Sequence, residues 1–216
     1  GLPVVLAFVS LIDPRTAVLR VPAVLLALVM VAWEVIGKRP VTIQAGLLLL
    51  TSIFVIIGWS QPRWCCDASA YYMYARSAIF DHDFHFANER AAFGDTWNAP
   101  SNGARPGNKH SIGPAILWTP FILLAHGYVL TTRALGLGSY GPTGYSTPYL
   151  MATAAGTGTA VAFGIMALWR VCVRHFPGGA GSTAVALGLM ASMLPYYAFV
   201  VPSVSHGPVF GASALF

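Results

Sequence analysis

Five apolar runs, each close to the length that crosses a bilayer, constrain the fold of this chain more than any other feature. A backbone inside hydrocarbon must satisfy its own hydrogen bonds, so runs of this length are expected to be helices. Only 9% of the 216 residues are charged, whereas soluble domains carry about 25%. The runs lie at about 21–37, 43–59, 113–132, 148–169 and 181–202. The sequence therefore predicts an all-α, polytopic transmembrane helical bundle, multi-pass in the cytoplasmic (inner) membrane of the cell.

Polarity divides the chain into three parts, because one long loop holds five of the seven acidic residues. The basic Lys38-Arg39 pair in the short turn between the first two runs predicts a cytoplasmic turn and hence an extracytoplasmic loop. The chain begins and ends inside apolar stretches too short to span, so we expect a fragment of a longer protein, truncated at its C-terminus. The predicted parts are N-terminal transmembrane helices (1–59), an extracytoplasmic loop with juxtamembrane helices (60–132) and further transmembrane helices (133–216).

The run 113–132 decides the topology, and the sequence allows two arrangements. Pro114 and Pro120 interrupt the run. If the run spans, the later basic residues Arg170 and Arg174 become extracytoplasmic. If it lies at the interface or re-enters, those residues become cytoplasmic, which the excess of positive charge on cytoplasmic sides favours.

Asp67 is the first acid after the second apolar run, and it begins a tyrosine-rich segment. The pattern predicts a surface helix over 67–80 whose aromatic side, with Tyr71 and Tyr74, faces lipid. Close to lipid, desolvation would raise the pKa of a carboxylate and make it a better base. The alternative is a helix N-cap, worth about 1 kcal/mol. One Asp can serve as both, and the sequence does not choose.

Asp81 and Asp83 alternate with histidines, and Glu89 follows them. Carboxylate ligands at this spacing suit a divalent cation such as magnesium or manganese. The alternative is a solvated turn after the helix, which we favour because no further ligands stand at a fixed spacing. The stretch 91–108 is rich in Gly, Pro and Asn and is predicted to be an irregular loop.

Cationic and imidazole side chains mark the end of the loop. Lys109 and His110 stand just before the third run, where a cation suits a phosphate head group. The alternative for Lys109 is a side chain that snorkels from a helix end. The net charge of +5 is spread along the chain, which argues against nucleic acid as a partner. The candidate substrate-binding residues are Asp81, Asp83, Glu89, Lys109, His110 and His206, with no metal ligands assigned.

Small residues recur at every fourth position in the last two runs, a spacing that lets helices pack closely in lipid. The sequence predicts close helix contacts at Gly156, Ala160 and Gly164 and, in the last run, at Ala180, Ala184, Gly188 and Ser192.

The order of these motifs resembles the N-terminal part of bacterial GT-C-type glycosyltransferases, which use polyprenyl-phosphate sugars and include the protein mannosyltransferase and aminoarabinose transferase families. The resemblance covers roughly residue 59 to the end of the chain. The motifs are Asp67 before an aromatic helix, Asp81-x-Asp83, Asn88-Glu89, His110-Ser111-Ile112-Gly113-Pro114, Arg170 with Arg174, and Ser205-His206.

The resemblance implies an extracytoplasmic active site flanked by juxtamembrane helices, where Asp67 acts as the base toward an acceptor hydroxyl or positions it. It also implies a polyprenyl-phosphate sugar donor, a lipid or cell-envelope acceptor and contact with the bilayer, with magnesium or manganese as a candidate cofactor. Two departures stand out. At least two apolar runs precede the loop, where the families commonly have one, and Lys109-His110-Ser111 stands where Lys-Pro-Pro or His-Pro-Pro is common.

Two other function classes fit the composition. A transporter or lipid flippase with a gating loop would be expected to place charges or broken helices near the bilayer midplane. A scaffold subunit of an envelope complex would need no chemistry. The predicted spans are nearly free of charge and the acids crowd one loop, which favours the glycosyltransferase.

Overall fold

The computed structural model describes residues 63–64, 67–94, 107–176 and 179–215, and the regular elements in these ranges are helical. The predicted N-terminal runs 21–37 and 43–59 lie outside the described residues. Two π-helical turns lie among the helices, at Ser77–Asp81 and Tyr196–Val200. The α-helices are α1 (Asp67–Arg76), α2 (Ala87–Phe93), α3 (Gly113–Ala134), α4 (Thr147–His175), α5 (Ala180–Ala191) and α6 (His206–Ser213).

Helices α3 and α4 are long and apolar enough to cross a membrane. They run antiparallel, because Trp118 meets Thr157 while the later residue His126 meets the earlier residue Tyr149. The most apolar window of α3 is only 22% buried and that of α4 is 61% buried. Helix α4 is thus central, and α3 lies at the side with a broad apolar face exposed.

Helix α3 is continuous over 22 residues, with Pro114 in its first turn and Pro120 inside it. A proline in the first turn costs no hydrogen bond, because that amide has no partner within the helix. The helix therefore has the length to cross the bilayer as well as to lie along its surface. Both arrangements of the run 113–132 remain open.

The run 181–202 does not form the single helix that its hydropathy predicts. Helix α5 ends at Ala191, Ser192 is extended, and the chain resumes in a π turn after Pro195. Pro195 lacks the amide proton that would bond to the carbonyl of Ala191, four positions earlier, and its ring crowds that carbonyl, which accounts for the end of α5 there. The 12 residues of α5 extend about 18 Å, less than the hydrocarbon thickness of about 30 Å.

Close packing of small residues is confirmed for α4 but not for α5. A Cβ atom added to Gly156 would lie 2.8 Å from Trp118 Cδ1, and one added to Gly164 would lie 2.8 Å from Phe210 Cε1. The predicted position Gly188 on α5 instead has open space around it. Helix α5 contacts α4 through Gly181, whose added Cβ would lie 2.6 Å from the carbonyl oxygen of Cys172.

Helix α1 packs along α3, and its aromatic side chains turn toward protein rather than lipid. Tyr72 is fully buried in a cluster with Trp118 and Ile122, and its hydroxyl donates to the carbonyl of Gly144 at 2.6 Å. Tyr71, predicted to face lipid with Tyr74, is half-buried. The helix itself is confirmed, but its buried face is centred on Tyr72.

Helix α2 occupies residues that the sequence assigns to a turn and an irregular loop. It begins at Ala87 and ends at Phe93, so the predicted loop cannot start at residue 91. Gly94 closes the helix in the left-handed region at φ +64°, and its amide donates to the carbonyl of Arg90. Glu89 and Arg90 are buried, and the bonds of Glu89 with Arg76 and of Arg90 with the carbonyl of Gly107 attach this polar helix to the rest of the fold.

Candidate functional site

The structure separates the predicted site residues into two groups at opposite ends of α1. The Asp67 cluster consists of Asp67, Tyr71, His110 and Ser205. The Arg76 cluster consists of Arg76, Asp81 and Glu89. Asp67 and Asp81 stand 14 positions apart on a helical segment, which corresponds to about 20 Å, so one small ligand cannot contact both carboxylates.

The Asp67 cluster joins three segments of the chain. The Asp67 side chain is 66% exposed, and its Oδ1 lies 3.6 Å from Nε2 of His110. One helical turn further along, Tyr71 holds its ring edge-on to that imidazole, with 4.9 Å between ring centroids. The hydroxyl of Ser205 donates to the hydroxyl of Tyr71 at 3.0 Å. An exposed carboxylate, an imidazole and two hydroxyls thus follow one another in a chain of direct contacts, from Asp67 through His110 and Tyr71 to Ser205.

His110 is fixed in place because the segment before it is tied to α1. The Tyr74 hydroxyl lies 2.9 Å from the carbonyl oxygen of His110 and donates to it, and it also reaches the carbonyl oxygen of Asn108 at 3.1 Å. The Asn108 side chain in turn donates to the carbonyl of Ala70 at 2.5 Å. Lys109 lies between these anchored residues with an exposed side chain.

Ser205 is held by contacts that begin in the core. The Trp118 indole donates to Thr157 Oγ1 at 3.0 Å, and that hydroxyl donates to the carbonyl of Pro202 at 2.6 Å. The Ser203 hydroxyl donates to the carbonyl of Arg63 at 2.9 Å. The segment 202–205 is therefore attached to α3, α4 and the residues before α1.

His206 was predicted to bind substrate, and the structure places it beside the site. Its ring packs on Tyr197, with 4.1 Å between ring centroids. The residue is exposed at the start of α6. It stands next to Ser205 in the chain, but none of the contacts described for its side chain reaches Asp67 or His110.

The Arg76 cluster is a buried ion network. The Arg76 guanidinium donates to Asp81 and, at 2.9 Å, to Oε1 of Glu89. Its Nε donates to the carbonyl of Thr143 at 3.2 Å, and its carbon Cζ lies 4.5 Å from the ring centroid of Tyr145. This one side chain thus joins α1, the π turn, α2 and the segment before α4.

Glu89 is fully buried, and this burial raises the pKa of its carboxyl while the hydrogen bond from Arg76 acts in the opposite direction. Asp83 is exposed and accepts from the amide of His85 at 3.0 Å and from the Ser77 hydroxyl at 2.7 Å. These two bonds hold the pKa of Asp83 below its ordinary value. The carboxylates predicted to bind substrate at this end already have partners within the chain.

The contacts of Asp81, Asp83 and Glu89 do not add support for a magnesium or manganese site. Within the described ranges, no group of three His, Cys, Asp or Glu side chains could hold a metal ion. The Asp81 carboxylate accepts from Arg76 and, at 2.5 Å, from the Asn88 side chain. A role for magnesium or manganese remains a prediction.

The sequence singled out Asp67 and His110, which the structure brings together. It gave no sign of the contacts of Arg76 with Tyr145 or of Tyr71 with Ser205. Arg76 gave no signal because its pairing with Asp81, five positions on, depends on a π turn. Tyr71 was assigned to a lipid-facing side, although its spacing of four from Asp67 places both residues on one helix face. That spacing is the signal that could have identified it.

The Asp67 cluster can accept a proton from a hydroxyl group and can balance charge that develops on a leaving group. Its exposed carboxylate supplies the acceptor, and the imidazole of His110 supplies a group able to carry positive charge. Comparisons with models of known protein families, with curated proteins and with solved structures found no match for this chain.

Proposed function

We propose that this chain is part of a membrane glycosyltransferase that moves a sugar from a polyprenyl-phosphate donor to a lipid or cell-envelope acceptor on the extracytoplasmic face. The observation that carries the proposal is the Asp67 cluster, where an exposed carboxylate lies beside an imidazole at the meeting point of three segments. The two apolar helices α3 and α4 support a membrane setting.

In the proposed reaction, Asp67 accepts the proton of the acceptor hydroxyl while that oxygen attacks the anomeric carbon of the sugar. The bond between that carbon and the phosphate oxygen breaks, and polyprenyl phosphate leaves with both bonding electrons. His110 and Lys109 are the nearby groups that can balance the charge of the departing phosphate. The carboxylate later releases its proton to water.

The packing of α1 on α3 supports a juxtamembrane position for both helices. Helix α3 exposes Leu123, Leu124 and Leu130, and on its buried side it contacts α1 through Trp118 and Ile122. Charged groups such as those on α1 are costly within hydrocarbon. An interfacial α3, apolar face toward lipid and α1 toward water, avoids that cost.

The break after Ala191 favours the transporter as a second candidate, because transporters use interrupted helices to build midplane sites. Those sites also carry polar or ionisable groups. Residues 180–202 contain no charged residue and no histidine, so the break supplies no such group. Reconstituted vesicles separate the two functions: a transporter accumulates substrate unchanged, whereas the transferase forms a new glycosidic bond.

The test is a transfer assay with the full-length protein in liposomes that contain polyprenyl-phosphate sugars and envelope lipids. We expect Asp67→Asn to lower the transfer rate about 10²–10⁴-fold, because an amide cannot accept the proton. Asp67 lies in the first turn of α1, where exchanging a carboxylate for an amide costs at most about 1 kcal/mol, so the melting temperature should stay close to that of the wild type.

Asp67→Glu is the matched variant, because it keeps the carboxylate and moves it by one methylene. It should recover part of the activity that Asn loses. A folded Asp67→Asn protein with near-normal transfer would remove Asp67 from the reaction and leave it only a structural role in the first turn of α1.

A further inference from the structure

The hydroxyl of Tyr71 is held by a hydrogen bond with the hydroxyl of Ser205. Ser205 Oγ lies 3.0 Å from the Tyr71 oxygen and donates to it. A phenol oxygen carries one proton and can accept as well as donate. Two hydroxyls that share one hydrogen bond keep one further O–H proton between them, and with Ser205 as the donor that proton belongs to Tyr71. Apart from Ser205 Oγ, the contacts described for Tyr71 include no hydrogen-bond acceptor for that proton.

The Tyr71 side chain lies on the face of α1 that carries Asp67. Tyr71 stands four positions after Asp67, so both side chains lie on one face of α1. The ring of Tyr71 is edge-on to His110, and the Asp67 side chain beside them is 66% exposed. Tyr71 therefore lies on the helix face that carries the exposed Asp67 carboxylate, in ring contact with His110.

The partner of this hydroxyl is held independently of any ligand. The carbonyl of Pro202 accepts from Thr157 in the core at 2.6 Å, and Ser203 donates to the carbonyl of Arg63 at 2.9 Å. Both bonds fix the backbone on which Ser205 stands. A donor oriented by a rigid support loses little freedom when a ligand binds.

We propose that Tyr71 is a phosphate-binding residue, and that its hydroxyl, oriented by Ser205, donates to the phosphate of an isoprenyl phosphate. The groups around it suit an anion, because His110 and the neighbouring Lys109 and His206 can carry positive charge against one carboxylate, Asp67. The ligand class rests on the proposed function. The orientation of Tyr71 does not.

The experiment measures equilibrium binding of farnesyl phosphate to the full-length protein in detergent, with farnesol as the uncharged reference ligand. A hydrogen bond to a charged group contributes enough that its loss in Tyr71→Phe should weaken binding about tenfold or more. Farnesol binding should not change. Ser205→Ala should weaken farnesyl phosphate binding by about threefold, because the Tyr71 proton is then free to turn away.

A double variant tests whether Ser205 acts through Tyr71 or whether each hydroxyl contacts the ligand separately. If Ser205 acts through Tyr71, the double variant should bind no more weakly than Tyr71→Phe alone. Ser205→Thr keeps a hydroxyl and should restore wild-type binding. Tyr128→Phe, which removes the hydroxyl of an exposed tyrosine on α3, is the matched control and should bind like the wild type.

Two results would overturn the inference: binding to Tyr71→Phe within twofold of wild type, or no preference of the wild type for farnesyl phosphate over farnesol. If Tyr71→Phe does not fold, the comparison of Ser205→Ala with Ser205→Thr decides, and equal binding to both contradicts the inference. A wild-type protein that binds farnesyl phosphate through Tyr71 but transfers no sugar refutes the proposed function alone. Sugar transfer with unchanged binding to Tyr71→Phe refutes this inference alone.

Discussion

The two ends of helix α1 carry carboxylates in opposite surroundings. At one end, Asp67 is largely exposed and lies 3.6 Å from His110. At the other, Asp81 and Glu89 share the guanidinium of Arg76, and Glu89 is fully buried. A carboxylate with a permanent cation partner holds the fold together, whereas an exposed one can meet a ligand. Both kinds look alike in the sequence of the loop.

The π turn after Arg76 produces this difference. In a π turn the backbone bonds from residue i+5 back to residue i, and here the amide of His82 donates to the carbonyl of Ser77. Asp81, five positions after Arg76, is thereby brought beside it. His82 then adopts the left-handed region at φ +60° and reverses the chain, so that α2 returns and delivers Glu89.

The largest effect on stability should come from Arg76→Met. Removing the cation leaves Glu89 buried without a charge partner, and breaking a buried ion pair in this way costs about 3–5 kcal/mol. We expect a large fall in the melting temperature of the purified protein, in contrast to Asp67→Asn, which should melt like the wild type.

Arg133→Met is the control for that experiment. Arg133 is exposed, and the one hydrogen bond described for its side chain goes to the carbonyl of Tyr140, at 3.3 Å. It should change stability by less than about 0.5 kcal/mol. If Arg76→Met melted like Arg133→Met, the Arg76 cluster would not hold the fold, and the contrast between the two ends of α1 would fail.

A smaller loss is expected for Gly144→Ala. Gly144 has φ +86°, and an added Cβ would lie 2.9 Å from Arg76 Cγ and 2.9 Å from Phe80 Cε2. Left-handed strain of about 1 kcal/mol combines with overpacking of about 1–3 kcal/mol. Gly136→Ala isolates the strain, because Gly136 has φ +69° with no atom within 4 Å of the added Cβ. Equal melting temperatures for the two variants would mean that Gly144 does not pack tightly against Arg76.

The smallest effect is a change in the pH dependence of stability caused by Glu89. Its folded pKa is raised above the ordinary value of 4.5, so the folded state binds the proton more tightly than the unfolded chain. Wild-type stability relative to Glu89→Gln should therefore be greatest below about pH 4.5 and should fall as pH rises through the folded pKa. Melting temperatures of both proteins from pH 4 to 7 measure this.

Asp83→Asn should give the opposite slope, which melting temperatures of the wild type and this variant below pH 3.8 would measure. The pKa of Asp83 is lowered, so its contribution to stability is present above the ordinary value of 3.8 and is lost as pH falls through the folded pKa.

For Glu89, a constant difference in melting temperature between wild type and Glu89→Gln from pH 4 to 7 would show that its pKa is not raised.

The sequence by itself determined the helical class and the head of α1. Apolar length predicts α3 and α4, because helix formation in lipid depends on local composition. It also determined the close packing along α4, since a spacing of four places small residues on one face whatever their partner. Asp67 was identified because its position, the first acid after an apolar run, is a local feature.

Tertiary structure decided which charged side chains form ion pairs within the fold and where helix α5 ends. Arg76 meets Thr143, 67 positions further along the chain, and no local pattern specifies a contact at that separation. The same path of the chain brings Ser205 to Tyr71, 134 positions apart. The hydropathy of residues 181–202 predicts one continuous helix and does not reveal the break at Ser192–Pro195, because apolar content does not specify backbone geometry. A charge becomes structural or available according to its neighbours, and neighbours are set by the fold.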